Sequence, residues 1–172
     1  MKDEDSILVG CFGDVAWVRL NGNASHLNSH LVRDFADDYV SRGGRQIVVD
    51  LENCPGMDST FIGILTGLTM RMAEMDGKIE VVNANDRNFK SVKKLGLDEL
   101  ITIDRDGTSW TEERALVADN VNRPLPKKEL SKRERAEMML KAHETLVEAN
   151  EKNYSQFRDV LEYLKKDVDA MG

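Results

Sequence analysis

Residues 7–12 (ILVGCF) and 15–20 (VAWVRL) are two short apolar runs separated by Gly13 and Asp14. A two-residue loop that begins with glycine suits a type II′ turn, so the pattern predicts an opening β-hairpin. Beyond Asn21 and Gly22 the period changes. Leu27, Leu31, Phe35 and Tyr39 stand four apart, with Val32, Ala36 and Val40 filling in, which predicts an amphipathic helix stopped by Gly43 and Gly44. Residues 46–51 (QIVVDL) run apolar without alternation, as a strand covered on both faces does, and so belong at the centre of a sheet. Pro55 and Gly56 then interrupt regular structure, and Asp58, Ser59 and Thr60 precede the apolar run FIGIL. A helix should start within about two residues of Asp58. Ile62, Leu65, Leu68, Thr69, Met72 and Met75 keep helical spacing until Asp76 and Gly77, and residues 79–82 supply the next strand of a β-α-β unit.

A second unit follows, with Asp86 as N-cap, Phe89, Val92 and Leu95 as the buried stripe, Gly96 as the stop and residues 101–103 as a last short strand. Ser109 and Glu112 have capping-box spacing ahead of Ala115, Leu116 and Val117, which predicts one more short helix. The stretch NRPLP reads as a linker. The pattern thus divides the chain into an α/β domain over residues 1–121, a linker over 122–126 and a helical extension over 127–172. In the extension Leu140, Val147, Tyr154, Leu161 and Val168 recur every seven residues. His143, Asn150, Phe157, Leu164 and Met171 form a second column, and Met139, Leu146 and Val160 widen the stripe. Such a coiled-coil-like stripe needs another helix. Tails paired between subunits provide one, making a homo-oligomer with His143 and Asn150 setting the register. A fold-back near residues 150–155 (NEKNYS), the poorest helix-forming stretch, provides the other.

A chain of 172 residues, 41% hydrophobic, is long enough for one ordinary core and an appendage. No apolar run approaches the roughly 20 residues of a membrane-spanning helix, and MKDEDS lacks the apolar segment of a secretory signal. Cys11 and Cys54 make neither a CxxC pair nor a zinc pattern. A cytoplasmic protein with reduced structural thiols, no cofactor, no metal and no direct membrane insertion is therefore expected. The formal net charge is −7, and from Lys127 onward 10 basic and 10 acidic residues balance, so the whole excess lies on the first 126 residues. An acidic domain argues against a nucleic-acid partner, whose phosphates call for a basic face.

The candidate chemistry concentrates in residues 50–63, DLENCPGMDSTFIG. Asp58 and Ser59 stand where a strand exits, the edge at which α/β proteins place ligands. No Gly-rich phosphate loop, catalytic histidine or metal cluster accompanies them, so the protein is read as a non-enzyme. Asp58 reads as the cap of the helix. A phosphate on Ser59 would meet unpaired backbone N–H groups and the positive end of the helix dipole, so the fold should survive modification there. Met57, in the loop with Phe61 and Ile62, is expected to form an exposed apolar patch around Ser59, the kind of anchor a protein partner uses. His26, His30 and His143 lie too far apart in sequence to define a site.

The order hairpin, helix, strand, MDST loop and helix, strand, helix, strand and helix resembles the STAS domain, a mixed β-sheet with helices packed against it. More narrowly it resembles the bacterial anti-sigma factor antagonists, over about residues 7–120. VVDLENCPGMDSTFIGIL is the most specific piece, supported by Leu20-Asn21-Gly22, the strand entry after Gly77 and Leu95-Gly96-Leu97. The resemblance implies phosphorylation of Ser59, with Thr60 as second choice, by an anti-sigma factor that is also a serine kinase, and reversal by a phosphatase. It implies a partner surface of Met57, Asp58, Ser59, Thr60, Phe61 and Ile62. Phe61 stands where the family usually has Gly, and Ser25 where it has Asp. The alternative is an unphosphorylated STAS assembly module, such as an accessory subunit of a membrane lipid or anion transporter, with the extension as its docking element.

Overall fold

The computed structural model describes residues 5–171; the start of MKDEDS lies outside them. Strands β1 (Ser6–Phe12) and β2 (Val15–Asn21) pair antiparallel with Phe12 opposite Val15. Gly13 takes φ +57 between them, the left-handed backbone that its missing side chain permits. Helix α1 (Ser29–Ser41) leads into β3 (Gln46–Asn53), α2 (Ser59–Glu74) into β4 (Lys78–Val82), and α3 (Asp86–Lys94) into β5 (Thr102–Asp104). β2, β3, β4 and β5 run parallel to one another. A two-residue strand β6 (Arg123–Pro124) closes the far edge against β1, giving the order β5-β4-β3-β2-β1-β6. The stretch read as linker therefore contributes to the sheet.

β3 is buried on both faces, as its unbroken apolar run predicts. Ile47, Val49 and Leu51 face the core beneath α1 and α2, together with Phe61, Leu65 and Leu68. Val48 faces the other way, into a smaller core with Val15, Trp17 and Val82 that Val117 and Val121 cover. Those two residues belong to a segment with two short helices, α4 (Thr111–Arg114) and α5 (Val117–Asn120), where one was expected. The capping box proposed for Ser109 and Glu112 is absent. The residue before α4 is Trp110 at φ +60, without a side-chain cap, and the Ser109 hydroxyl turns to Glu80 instead. The cap of α3 is Asn85, not Asp86: the Asn85 side chain accepts from the Asn88 N–H, leaving Asp86 in the first turn.

Polar bonds at the strand ends hold that covering segment in place. Asp50 is 0% exposed and accepts from Trp17 Nε1, Arg19 Nε, Asn83 Nδ2 and the Glu52 N–H, each at 2.9 Å. Asn83 in turn accepts from Arg114 Nη1, while Arg114 Nη2 donates to Asp104 and its Nε to the Ser109 carbonyl. A buried carboxylate is tolerated only when its lone pairs are occupied in this way.

The extension folds back. α6 (Lys132–Ala149) starts with a capping box of Ser131 and Glu134, and a 3₁₀ turn (Glu151–Asn153) reverses the chain into α7 (Tyr154–Met171). The reversal falls within residues 150–155, the second of the two arrangements left open by the sequence. α6 packs on α2, and Leu146, 0% exposed, joins Met138, Ala142, Phe157 and Leu161 in the main core. Tyr154 and Val160, assigned to the stripe by spacing, are exposed, because the seam follows α2 as well as the sister helix.

Burial by itself would raise the Asp104 carboxyl, but N–H groups of Ser109, Thr108, Gly107 and Asp106 outweigh it and hold it below the ordinary carboxylate range. A depressed folded-state value gives stability that is full above the unfolded value of about 3.9 and is lost as pH falls through the folded one. Asp104→Asn should therefore lower stability at pH 7 and flatten the decline of the melting temperature below about pH 4. Thermal melts across pH check this; an unchanged acid limb would contradict it.

Candidate functional site

The loop between β3 and α2 is anchored from both sides. The Ala24 N–H donates to Gly56 O at 3.0 Å and the Asp58 N–H to Ala24 O at 2.9 Å, while Asn88 Nδ2 donates to Cys54 O at 2.8 Å. Asp58 is the N-cap of α2, accepting from the Phe61 N–H at 2.8 Å through Oδ1, as its position in the sequence predicts. Its Oδ2 accepts from the His26 N–H at 2.9 Å and lies 3.2 Å from His26 Nδ1. One carboxylate thus joins the start of α2 to the segment before α1.

Because Asp58 caps the helix, the Ser59 hydroxyl is released from that duty. It lies 2.9 Å from His143 Nε2 on α6. His143 Nδ1 is 2.6 Å from the Met139 carbonyl oxygen, which can only accept. A neutral ring therefore carries its hydrogen on Nδ1, and Nε2 accepts from the Ser59 O–H. The imidazole is 3% exposed and meets the Phe157 ring edge-on at 5.1 Å. Met57 and Ser59 also line a cavity of about 160 Å³ with Ser91, Lys94 and Leu95 from the α3 side and Phe157 of α7.

Of the residues predicted to form the partner surface, Met57, Asp58 and Ser59 are half-buried. Thr60, Phe61 and Ile62 are 2%, 1% and 2% exposed, so they form no exposed apolar patch around Ser59, although Ile62 lines the cavity there with Met57. Phe61 and Ile62 belong to the main core, and Phe61 supplies bulk there rather than to the surface beside Ser59. The scattered histidines, by contrast, are brought together here. His26 and His143 meet neighbouring residues Asp58 and Ser59 from 32 and 84 positions away in the chain. Only the placement of His143 in a heptad column with Phe157 hinted at this. Among the described residues no group of His, Cys, Asp and Glu is arranged to hold a metal ion, and no helix is long and apolar enough to cross a membrane.

A family model described as Mlab, STAS domain matches residues 12–102, more than half of the chain. The protein belongs to the STAS family. No curated protein matches it. The solved structures that share the STAS fold include TM1081 of Thermotoga maritima, described by its likeness to anti-sigma factor antagonists, 20% identical with a TM-score of 0.56, covering 61% of this chain and 91% of its own. The antagonist SpoIIAA in its unphosphorylated form is 17% identical with a TM-score of 0.51, covering 66% of this chain and 97% of its own. The Bacillus cell fate determinant SpoIIAA in its phosphorylated form is 19% identical with a TM-score of 0.51, covering 67% and 100%. The family match ends before β6, α6 and α7, so His143 comes from outside it. Ser25, which replaces the acid expected from the STAS resemblance, is engaged in a local turn, accepting from the Leu27 N–H while its own N–H donates to Asn28.

Burial raises the Cys54 thiol above its ordinary value, against hydrogen bonds near Ala24 and Gly56 that lower it, whereas Cys11 is exposed. At about pH 8 a thiol reagent should modify Cys11 in the native protein and reach Cys54 only on unfolding, as mass spectrometry would record. Equal labelling of the two would show that the β3–α2 loop opens readily.

Proposed function

We propose that this STAS protein is a regulatory switch of the anti-sigma factor antagonist type. It binds an anti-sigma factor kinase through the surface at the start of α2 and is controlled by phosphorylation of Ser59, with a phosphatase restoring the free hydroxyl. The observation that carries the reading is the position of Ser59: the first residue of α2, directly after its cap, half-buried and outside the apolar core. A phosphate there adds about −1.5 to −2 charge beside Asp58 on a surface that must lose water to bind, while the core beneath is untouched. The likeness to SpoIIAA supports the fold on which such a switch is built. On this reading the protein is cytoplasmic and not an enzyme. Association into a homo-oligomer through the extension would use Tyr154, Val160 and Tyr163, which α7 leaves exposed.

A second reading, an unphosphorylated STAS assembly module serving a membrane lipid or anion transporter, draws on two observations. The Ser59 hydroxyl already has a partner in His143, and Ser25 carries no charge at the position where the family has Asp. Copurification with membranes separates it from the switch.

The switch predicts that Ser59→Asp binds the kinase about a hundredfold or more weakly, since an unpaired carboxylate in an interface costs several kcal/mol and each 1.4 kcal/mol is tenfold. Ser59→Ala should bind and resist phosphorylation. Titration of both variants, with mass spectrometry after incubation with kinase and ATP, decides the matter. Wild-type affinity of Ser59→Asp together with an unmodified Ser59 and Thr60 would remove the switch.

A further inference from the structure

We propose that the α6–α7 hairpin is an intramolecular cover over the start of α2, so that Ser59 becomes reachable by a kinase or a docking partner only when the hairpin moves away. The regulatory use of this cover rests on the reading of Ser59 as the switch residue; its existence does not.

The first observation is the Ser59 hydroxyl itself, held at 2.9 Å by an imidazole that α6 carries and that is almost wholly buried. His143 occupies the hydroxyl oxygen, and the space left beside it, about 160 Å³ between α7 with Phe157 and the α3 side with Ser91 and Lys94, admits small molecules but not the active site of a group-transferring enzyme. The second is the fit of α6 on α2. A β-carbon at Gly63 would collide with the backbone carbonyl of Ala142, whereas one at Gly67 would meet only the Thr145 methyl at 3.7 Å. The helices therefore touch backbone to backbone one turn from Ser59, and a groove of that shape accepts a helix with small residues in its contact face. A partner that presents such a helix would compete with α6 for it.

The third observation is where the cover is attached. Residues 126–129 are exposed and lie outside helix and strand, between β6 and the cap of α6. All six strands precede them, so the hairpin can swing out without breaking a sheet hydrogen bond. Opening releases His30 from the Lys128 carbonyl, the Ser29 hydroxyl from Met138 Sδ, Ser59 from His143, and Asn150 and Asn153 from the Gly96 and Leu95 carbonyls, and it exposes the apolar side chains that α6 and α7 bury in the main core, Leu146 and Phe157 among them.

The test uses the full chain and no partner. In a Cys11→Ser background, Ser59→Cys places a thiol at the first residue of α2, where the dipole makes it reactive once solvent reaches it. Its rate of modification should be at least tenfold below that of Cys11 in the otherwise native protein. Gly63→Ala, which forces α6 away, should raise that rate about tenfold or more, and Gly67→Ala should leave it unchanged. Slow hydrogen exchange of β3 amides in all variants shows that the sheet remains folded. If Gly63→Ala fails to fold, His143→Ala replaces it, with the same acceleration expected. A Ser59→Cys thiol that reacts as fast as Cys11, or equal rates in the opened and control variants, overturns the cover. A covered Ser59 that no kinase modifies after opening would leave the cover standing and remove the switch.

Discussion

The constraint on which the extension depends is the close approach of α6 to α2, where Gly63 has no β-carbon and the Ala142 backbone takes its place. The placement of the α6–α7 hairpin, which lies outside the family match, follows from that contact. It brings Leu146 into the main core, aligns His143 with Ser59, and turns the outer face of α2 from a surface into an interior. Helices that meet through small residues gain close packing along their length, and they lose it steeply when one methyl group is inserted. The extension is thus bound by shape more than by its heptad pattern.

The other face of the sheet is held by a different principle. There the small apolar cluster around Trp17 and Val48 is completed by polar bonds: Asp50 gathers donors from β2, from the β4 exit and from its own strand end, and Arg114 joins Asn83 to Asp104. Glu80, buried in β4, pairs with Trp110 and Ser109. A segment with little regular structure stays over the sheet because each of these groups would be left unpaired in the interior if it lifted. The site at Ser59 lies on the opposite side, so a rearrangement of the hairpin leaves this network in place.

The sheet and its crossovers were legible because the hydrophobic period changed at each element. QIVVDL read as a central strand and is one, and Asp58 read as the cap of α2 and accepts from Phe61. Local signals misled where competing polar residues stood side by side. Asn85 displaced Asp86 as a cap, and Ser109 bonded to Glu80 in place of closing a box with Glu112. The site was half legible. Asp58 and Ser59 declared themselves through their position, but the burial of Phe61 and Ile62 depends on which way α2 faces the sheet, and a run of consecutive apolar residues does not reveal that. The pairing of His143 with Ser59 was invisible for a different reason. It depends on the fold-back, and a heptad stripe is equally consistent with a partner helix in the same chain or in another.

The intramolecular contact between α6 and the start of α2 underlies both the packing of the hairpin and the cover over Ser59. Isotope-filtered NMR on a mixture of ¹³C-labelled and unlabelled full-length protein measures it directly, through nuclear Overhauser effects between the Ser59 β-protons and the His143 ring. The fold predicts that these effects arise within a single chain and persist on dilution. Their absence, or their appearance only between labelled and unlabelled chains, would contradict it and return the extension to a role between subunits.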